Sequence, residues 1–228
     1  QDYVATESGG MLSMRKIPPG VPPTVALGPL GVTGLTAYFG LLEVGRPQAG
    51  ETVVVSGAAG ATGSVVGQIA KIKGCRAIGI AGGPEKCGWI TGEAGFDAAI
   101  DYKSENVVER LAELCPEGIN VYFDNVGGPI LEAALQNLAM RGRVVICGAI
   151  SGYNAEEPPP GPRNYLQLLM KRGRMEGFIV MDFLDKAPQA IGDLSSWLMA
   201  GKIKYQEDIV EGLENAPKAL LRLFQSKN

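Results

Sequence analysis

Val53-Val54-Val55-Ser56-Gly57-Ala58-Ala59-Gly60-Ala61-Thr62-Gly63-Ser64-Val65-Val66-Gly67 is the stretch from which the rest of the chain can be read. Thr52–Ser56 is a short β-branched run, the composition of a buried strand. Small residues follow, from Ala58 to Gly63. Residues 63–73 then carry Val65, Val66, Ile69, Ala70 and Ile72 at helical spacing, which predicts an amphipathic helix. Strand, glycine turn, helix is the setting in which a G-x-G-x-x-G pattern cradles a dinucleotide, although the first glycine is here Ala58. Gly60 would let the backbone approach a pyrophosphate, and Gly63 would let the helix pack closely on the strand. The start of the helix, from Gly60 through Ala61 and Thr62 to Gly63, would offer free N–H groups and a partial positive charge to the phosphates. A tight strand-to-helix turn that binds nothing would show the same residues.

Working outward, the alternation of strand and helix is regular. Residues 76–81, 98–102, 120–125, 143–149 and 176–181 read as five more strands. Helices are expected over 32–45, 85–92, 104–115 with Ser104 as N-cap, 130–140, 165–171 and 186–200. A last helix is expected over 212–225, entered by the strand-like Asp208-Ile209-Val210. Strands that alternate with helices pair in parallel through right-handed crossovers. Six strands in two halves of three predict an α/β, doubly wound, parallel six-stranded sheet, the Rossmann fold.

Residues 1–30 read as irregular, with Pro18, Pro19, Pro22, Pro23 and Pro29 and one strand-like segment at 2–6. They are expected to be the tail of an upstream domain and a linker, with the nucleotide-binding domain over 31–228. The chain opens on Gln1 and is expected to be a fragment.

Composition closes off several classes of function. A net charge of −3 is the wrong sign for a nucleic-acid binder. No apolar run approaches the roughly 20 residues of a membrane span. The chain has no histidine, so imidazole acid-base chemistry and a Ser-His-Asp triad are excluded. Cys75, Cys87, Cys115 and Cys147 are scattered, with no ligand spacing for zinc, so no metal is expected. They read as reduced, small apolar side chains of a cytoplasmic protein.

The second strand speaks to the cofactor. NAD binders place an acid at its end, about 20 residues past the glycine loop, to hold the ribose 2′-hydroxyl. Here that end is Gly79-Ile80-Ala81-Gly82-Gly83, without an acid, and Lys86 follows. A lysine there can face a 2′-phosphate as a point charge, so NADP(H) is the expected cofactor. Asp124-Asn125-Val126-Gly127-Gly128 ends the fourth strand and Cys147-Gly148-Ala149-Ile150-Ser151-Gly152-Tyr153 ends the fifth. Ligands of open α/β sheets lie at the carboxyl ends of strands, so these glycine-containing ends would run beside a ribose and nicotinamide.

Four segments also carry a resemblance. Gly34-Leu35-Thr36-Ala37-Tyr38, residues 60–71, Phe123-Asp124-Asn125-Val126-Gly127-Gly128 and residues 147–154 resemble the zinc-independent medium-chain dehydrogenase/reductases. The branch most resembled is that of leukotriene B4 dehydrogenase/prostaglandin reductase and the alkenal double-bond reductases. The resemblance implies NADPH-dependent reduction of the C=C bond of an α,β-unsaturated ketone or aldehyde. It implies that Lys86 and Tyr102 hold the 2′-phosphate end, and that Asn125, the loop from Cys147 to Tyr153, Phe178-Ile179-Val180 and Asn228 line the rest of the cofactor. It also implies that Tyr153 is the catalytic residue, and that the partner is a second copy joined at the sheet edge formed by the apolar strand Gly177-Phe178-Ile179-Val180-Met181. The family carries an upstream barrel-like catalytic domain, of which only the last strand is expected here. A zinc-free quinone reductase and a non-catalytic NADP-binding module are the other readings.

Overall fold

The structure, a computed structural model, describes residue 17, residues 19–157 and residues 159–224. The helices, in chain order, are α1 (Pro23–Leu27), α2 (Val32–Phe39), α3 (Ala61–Ile72), α4 (Pro84–Gly92), α5 (Val107–Leu114), α6 (Gly128–Gln136), α7 (Leu166–Lys171), α8 (Ala187–Met199) and α9 (Ala216–Phe224). The strands are β1 (Thr52–Ser56), β2 (Arg76–Ala81), β3 (Ala98–Asp101), β4 (Ile119–Asp124), β5 (Leu138–Ile146) and β6 (Arg174–Gly177). They form one sheet in the order β3-β2-β1-β4-β5-β6, every pair parallel. This is the doubly wound arrangement the alternation predicts, and the order reverses between β1 and β4.

Both faces of the sheet are covered, which is why β1 reads as an unbroken apolar run. Val53 and Val55 face one layer with Val65, Val66 and Ile69 of α3 and Leu194 of α8. Val54 faces the other with Leu111 of α5 and Leu135 of α6. At the opposite end of the sheet from the strand tips, Arg143 of β5 grips Glu51 with two guanidinium nitrogens, one at 3.0 Å, and donates to the Gly45 carbonyl at 2.8 Å. The pair locks β5 to the turn that leads into β1.

Several expectations are corrected. The apolar segment 177–181 is not a strand. β6 is the short, polar Arg174–Gly177, and the apolar residues leave the sheet for the core. Phe178 packs edge-on against Phe123 and Phe183, in space that exists because residue 40 is glycine: a Cβ there would lie 2.4 Å from its ring. Residues 138–140 begin β5 instead of extending the preceding helix. Asn106, not Ser104, caps α5, its side chain accepting from the amides of Val108 and Glu109. The 32–45 helix changes to a π-helical turn at Gly40–Gly45. Residues 208–210 form no strand. The strand expected at 2–6 lies outside the described residues, while the linker after it carries α1 with Val25 buried.

Candidate functional site

β1 ends in a turn that only glycine makes easily: Gly57 has φ +59° and its carbonyl accepts from the Gly60 amide at 3.0 Å. Gly60 then caps α3 with extended backbone and no side-chain hydrogen bond. The first N–H groups of a helix have no partner within it, so those of Ala61, Thr62 and Gly63 are left for a ligand. Gly60, Ala61, Thr62 and Gly63 all line an open cleft of about 970 Å³ along the carboxyl ends of the strands.

At one end of the cleft lie Gly82, Lys86 and Tyr102. The Tyr102 ring rests on Gly82, where a Cβ would be 2.8 Å from it. Burial and the neighbouring Lys103 hold the Lys86 ammonium below the usual lysine range. The acid missing from the end of β2 has a counterpart at the end of β3. Asp101 accepts from the Gly83 amide at 2.8 Å, the Lys103 amide at 3.0 Å and the Ser104 hydroxyl at 2.8 Å. These bonds, the Gly83 amide first, hold its carboxyl below the usual range.

The centre of the cleft is the crossing of β1 and β4. Asn125 lines it beside Val126 and Gly127. Beneath them Asp124, 1% exposed, accepts four hydrogen bonds on one carboxylate oxygen. They come from the Ser56 hydroxyl at 2.9 Å, the Tyr122 hydroxyl at 3.0 Å, the Val126 amide at 3.0 Å and the Gly127 amide at 2.9 Å. Ser56 Oγ in turn accepts from the Asn125 amide at 2.9 Å, and the Asn125 side chain donates to the Ser56 carbonyl at 2.7 Å. Sequence reasoning did not single out Ser56, Tyr122 or Asp124 for this role. Ser56 reaches Asp124 and Asn125 from 68 and 69 residues away, and Tyr122, two residues before Asp124, looks like any apolar strand position, so no local pattern marks the cluster.

The loop after β5 is only partly in the cleft. Ile150 and Ser151 line it, as does Asn154. The Ser151 hydroxyl donates to the Val126 carbonyl at 2.6 Å and so ties this loop to the previous one. Cys147, Gly148, Ala149, Gly152 and Tyr153 are not among the lining residues. Tyr153 is 62% exposed and its hydroxyl accepts from the Ala149 amide at 3.3 Å. Phe178 and Val180 turn into the core and Ile179 is exposed, and none of the three lines the cleft. Asn228 lies outside the described residues.

All four cysteines are free thiols. Cys75 and Cys115 are buried, Cys87 and Cys147 half-buried. Burial pushes every one of them above the usual thiol value, Cys115 and Cys147 to about 11. Among the described residues no group of three or more His, Cys, Asp or Glu side chains is placed to hold a metal ion. No helix among them is long and apolar enough to cross a membrane.

A six-stranded doubly wound sheet with a glycine-rich loop opening on its switch-point cleft defines a dinucleotide-binding domain. Residues 61–196 match the model of the family described as zinc-binding dehydrogenase. The chain is 43% identical to the NADPH-dependent curcumin reductase of Escherichia coli, over 100% of this chain and 67% of that protein. It is 46% identical to prostaglandin reductase 1 of Bos taurus, over 92% of this chain and 64% of that one. Its fold matches a crystal structure of CurA from Vibrio vulnificus in complex with NADPH, with a TM-score of 0.86 and 48% identity, covering 90% of this chain and 63% of that one. The chain therefore spans about two thirds of the length of these relatives. It belongs to the zinc-binding dehydrogenase family, in the zinc-independent reductase branch that the sequence resembles.

Proposed function

We propose that the chain is the cofactor-binding portion of an NADPH-dependent reductase acting on the C=C bond of α,β-unsaturated ketones and aldehydes. The observation that carries this reading is the cleft itself: the start of α3 at Gly60, with no side-chain cap, opening into it, with Lys86 and Tyr102 at one end and no acid at the tip of β2. A cradle of glycine backbone, helix amides and one lysine suits a phosphorylated dinucleotide. The relatives named for NADPH and for curcumin, a conjugated enone, support the same substrate class.

Bound NADPH supplies the hydride. The chain's own part is placement: amides of Ala61, Thr62 and Gly63 on the pyrophosphate, Lys86 and Tyr102 at the 2′-phosphate, Asn125, Ile150 and Ser151 along the rest. The hydride would go to the substrate β-carbon, and the α-carbon proton would come from the Tyr153 hydroxyl, the ribose or water, a demand that needs no strong side-chain acid. Tyr153, beside this half of the cleft, is the residue assigned to hydrogen-bond the substrate oxygen.

A domain boundary near residue 30 belongs to the same reading, supported by the five prolines between residues 18 and 29. A two-fold dimer through the β6 edge is supported by the position of β6 at the end of the sheet. A cytoplasmic setting is supported by the four free thiols. The decisive experiment is NADPH oxidation by the full-length protein, against enones, alkenals and quinones. Turnover of enones and alkenals supports the reading; turnover of quinones alone replaces it with a quinone reductase.

A further inference from the structure

We infer that Asp124 is a positioning residue, and that the Ser56–Asp124 bridge between β1 and β4 holds the cofactor-lining turn Asn125–Gly127 in its binding conformation. The inference rests on the cofactor reading above and goes beyond it, because neither Ser56 nor Asp124 lines the cleft.

The argument is one of donors and acceptors. Both hydroxyls that reach the Asp124 oxygen are fully buried, those of Ser56 and Tyr122. Two backbone amides, of Val126 and Gly127, reach it as well. A group that only accepts is what four converging donors need, and a carboxylate meets that need. Buried donors left without it would carry their full desolvation penalty.

The arrangement also decides which way the turn faces. With the Val126 and Gly127 amides pulled down to the carboxylate, the carbonyls of Asn125 and Val126 accept from the amides of Ile150 and Ser151, at 3.2 and 3.1 Å. The Asp124 carbonyl accepts from the amides of Cys147 and Gly148, at 2.9 and 3.0 Å. The Asp124 side chain thus sets the turn after β4, while its backbone carbonyl, as any residue's would, anchors the start of the loop that carries Tyr153. Gly127 and Gly128, with φ +72° and +57°, hold a conformation the chain would not keep unaided with other residues there.

The two hydroxyls allow structure and positioning to be separated. Each gives one hydrogen bond to the same oxygen, but only the Ser56 hydroxyl also holds the turn, by accepting from the Asn125 amide; the Asn125 side chain donates to the Ser56 backbone carbonyl, which Ser56→Ala keeps. NADPH binding to the chain is measured by fluorescence titration and stability by thermal unfolding. Ser56→Ala is expected to raise the NADPH dissociation constant about tenfold. Tyr122→Phe is expected to lower the melting temperature and leave that constant within about twofold. Asp124→Asn, which keeps an acceptor oxygen, is expected to bind NADPH more tightly than Asp124→Ala. Should Asp124→Ala fail to fold, the Ser56 and Tyr122 pair still decides. An unmoved dissociation constant in Ser56→Ala, or equal shifts in Ser56→Ala and Tyr122→Phe, overturns the inference alone. No saturable binding of NADPH by the wild-type chain overturns the cofactor reading and the inference with it.

Discussion

Gly63 sits so close to Gly57 that a Cβ on it would lie 2.3 Å from the Gly57 carbonyl oxygen. The contact is backbone on backbone, so α3 cannot pack on the end of β1 with any side chain at 63. Gly60 is different: a Cβ there meets only the Gly57 oxygen, at 3.2 Å, and its φ of −76° suits any residue. Two substitutions three residues apart should therefore fail differently. Gly63→Ala is expected to cost about 1–3 kcal/mol of stability in denaturant unfolding. Gly60→Val should leave the melting temperature nearly unchanged and abolish NADPH binding in calorimetry. Retained binding by Gly60→Val would place the nucleotide elsewhere.

Cofactor choice is the second test. The chain lacks an acid at the tip of β2, and Lys86 lines the cleft. NADPH is expected to bind at least tenfold more tightly than NADH, about 1.4 kcal/mol. Lys86→Ala should narrow the gap by weakening NADPH while NADH holds steady. Equal titration curves for the two nucleotides with the wild-type chain would remove Lys86 from the site.

Acid stability should depend on the Glu51–Arg143 pair. Burial raises the Glu51 carboxyl, but the hydrogen bonds and charge of Arg143 with the Gln48 amide outweigh it, and the folded value falls below the ordinary one. A depressed carboxyl contributes stability above its unfolded value, near about 4.3, and loses it as pH drops through the folded value. Glu51→Gln is expected to cost about 1.5–3 kcal/mol at pH 7, the range for hydrogen bonds to charged groups. It should also flatten the loss of melting temperature below pH 4.5. An acid limb as steep as wild type would show that other carboxylates govern it.

Tyr153 carries the catalytic prediction. Its hydroxyl lies on the Ala149 amide and outside the cleft lining, so contact with substrate requires the side chain to swing. In the full-length protein, Tyr153→Phe should lower kcat for an enone about tenfold, less than the 10²–10³ of a sole donor, with little change in NADPH affinity. A fall in NADPH affinity at constant kcat would make it a cofactor clamp.

What the sequence revealed was what local pattern can carry. The valines of β1, the glycines to Gly63 and the apolar face of α3 are each readable alone, and together they give the fold and the centre of the cleft. Phe178 shows the limit. An apolar run of five residues is the signature of an edge strand and equally of a loop folded into the core, and only the space left by Gly40, far away in sequence, decides between them. Ser104 and Asn106 show a second limit: both are good caps, and Asp101 takes the serine hydroxyl at 2.8 Å, leaving the asparagine for α5. Asp124 ends a readable strand, yet its role depends on Ser56 and on amides turned by two glycines.

The thiols carry a last consequence. Enones and alkenals are Michael acceptors, and the thiolate is the form of cysteine they alkylate. A reductase of the kind proposed above would meet such electrophiles at every encounter. Here the chain has no histidine, and its four cysteines are held protonated by burial. Packing that looks like ordinary core filling thus also keeps the chain's soft nucleophiles in their less reactive form, which the proposed chemistry would require.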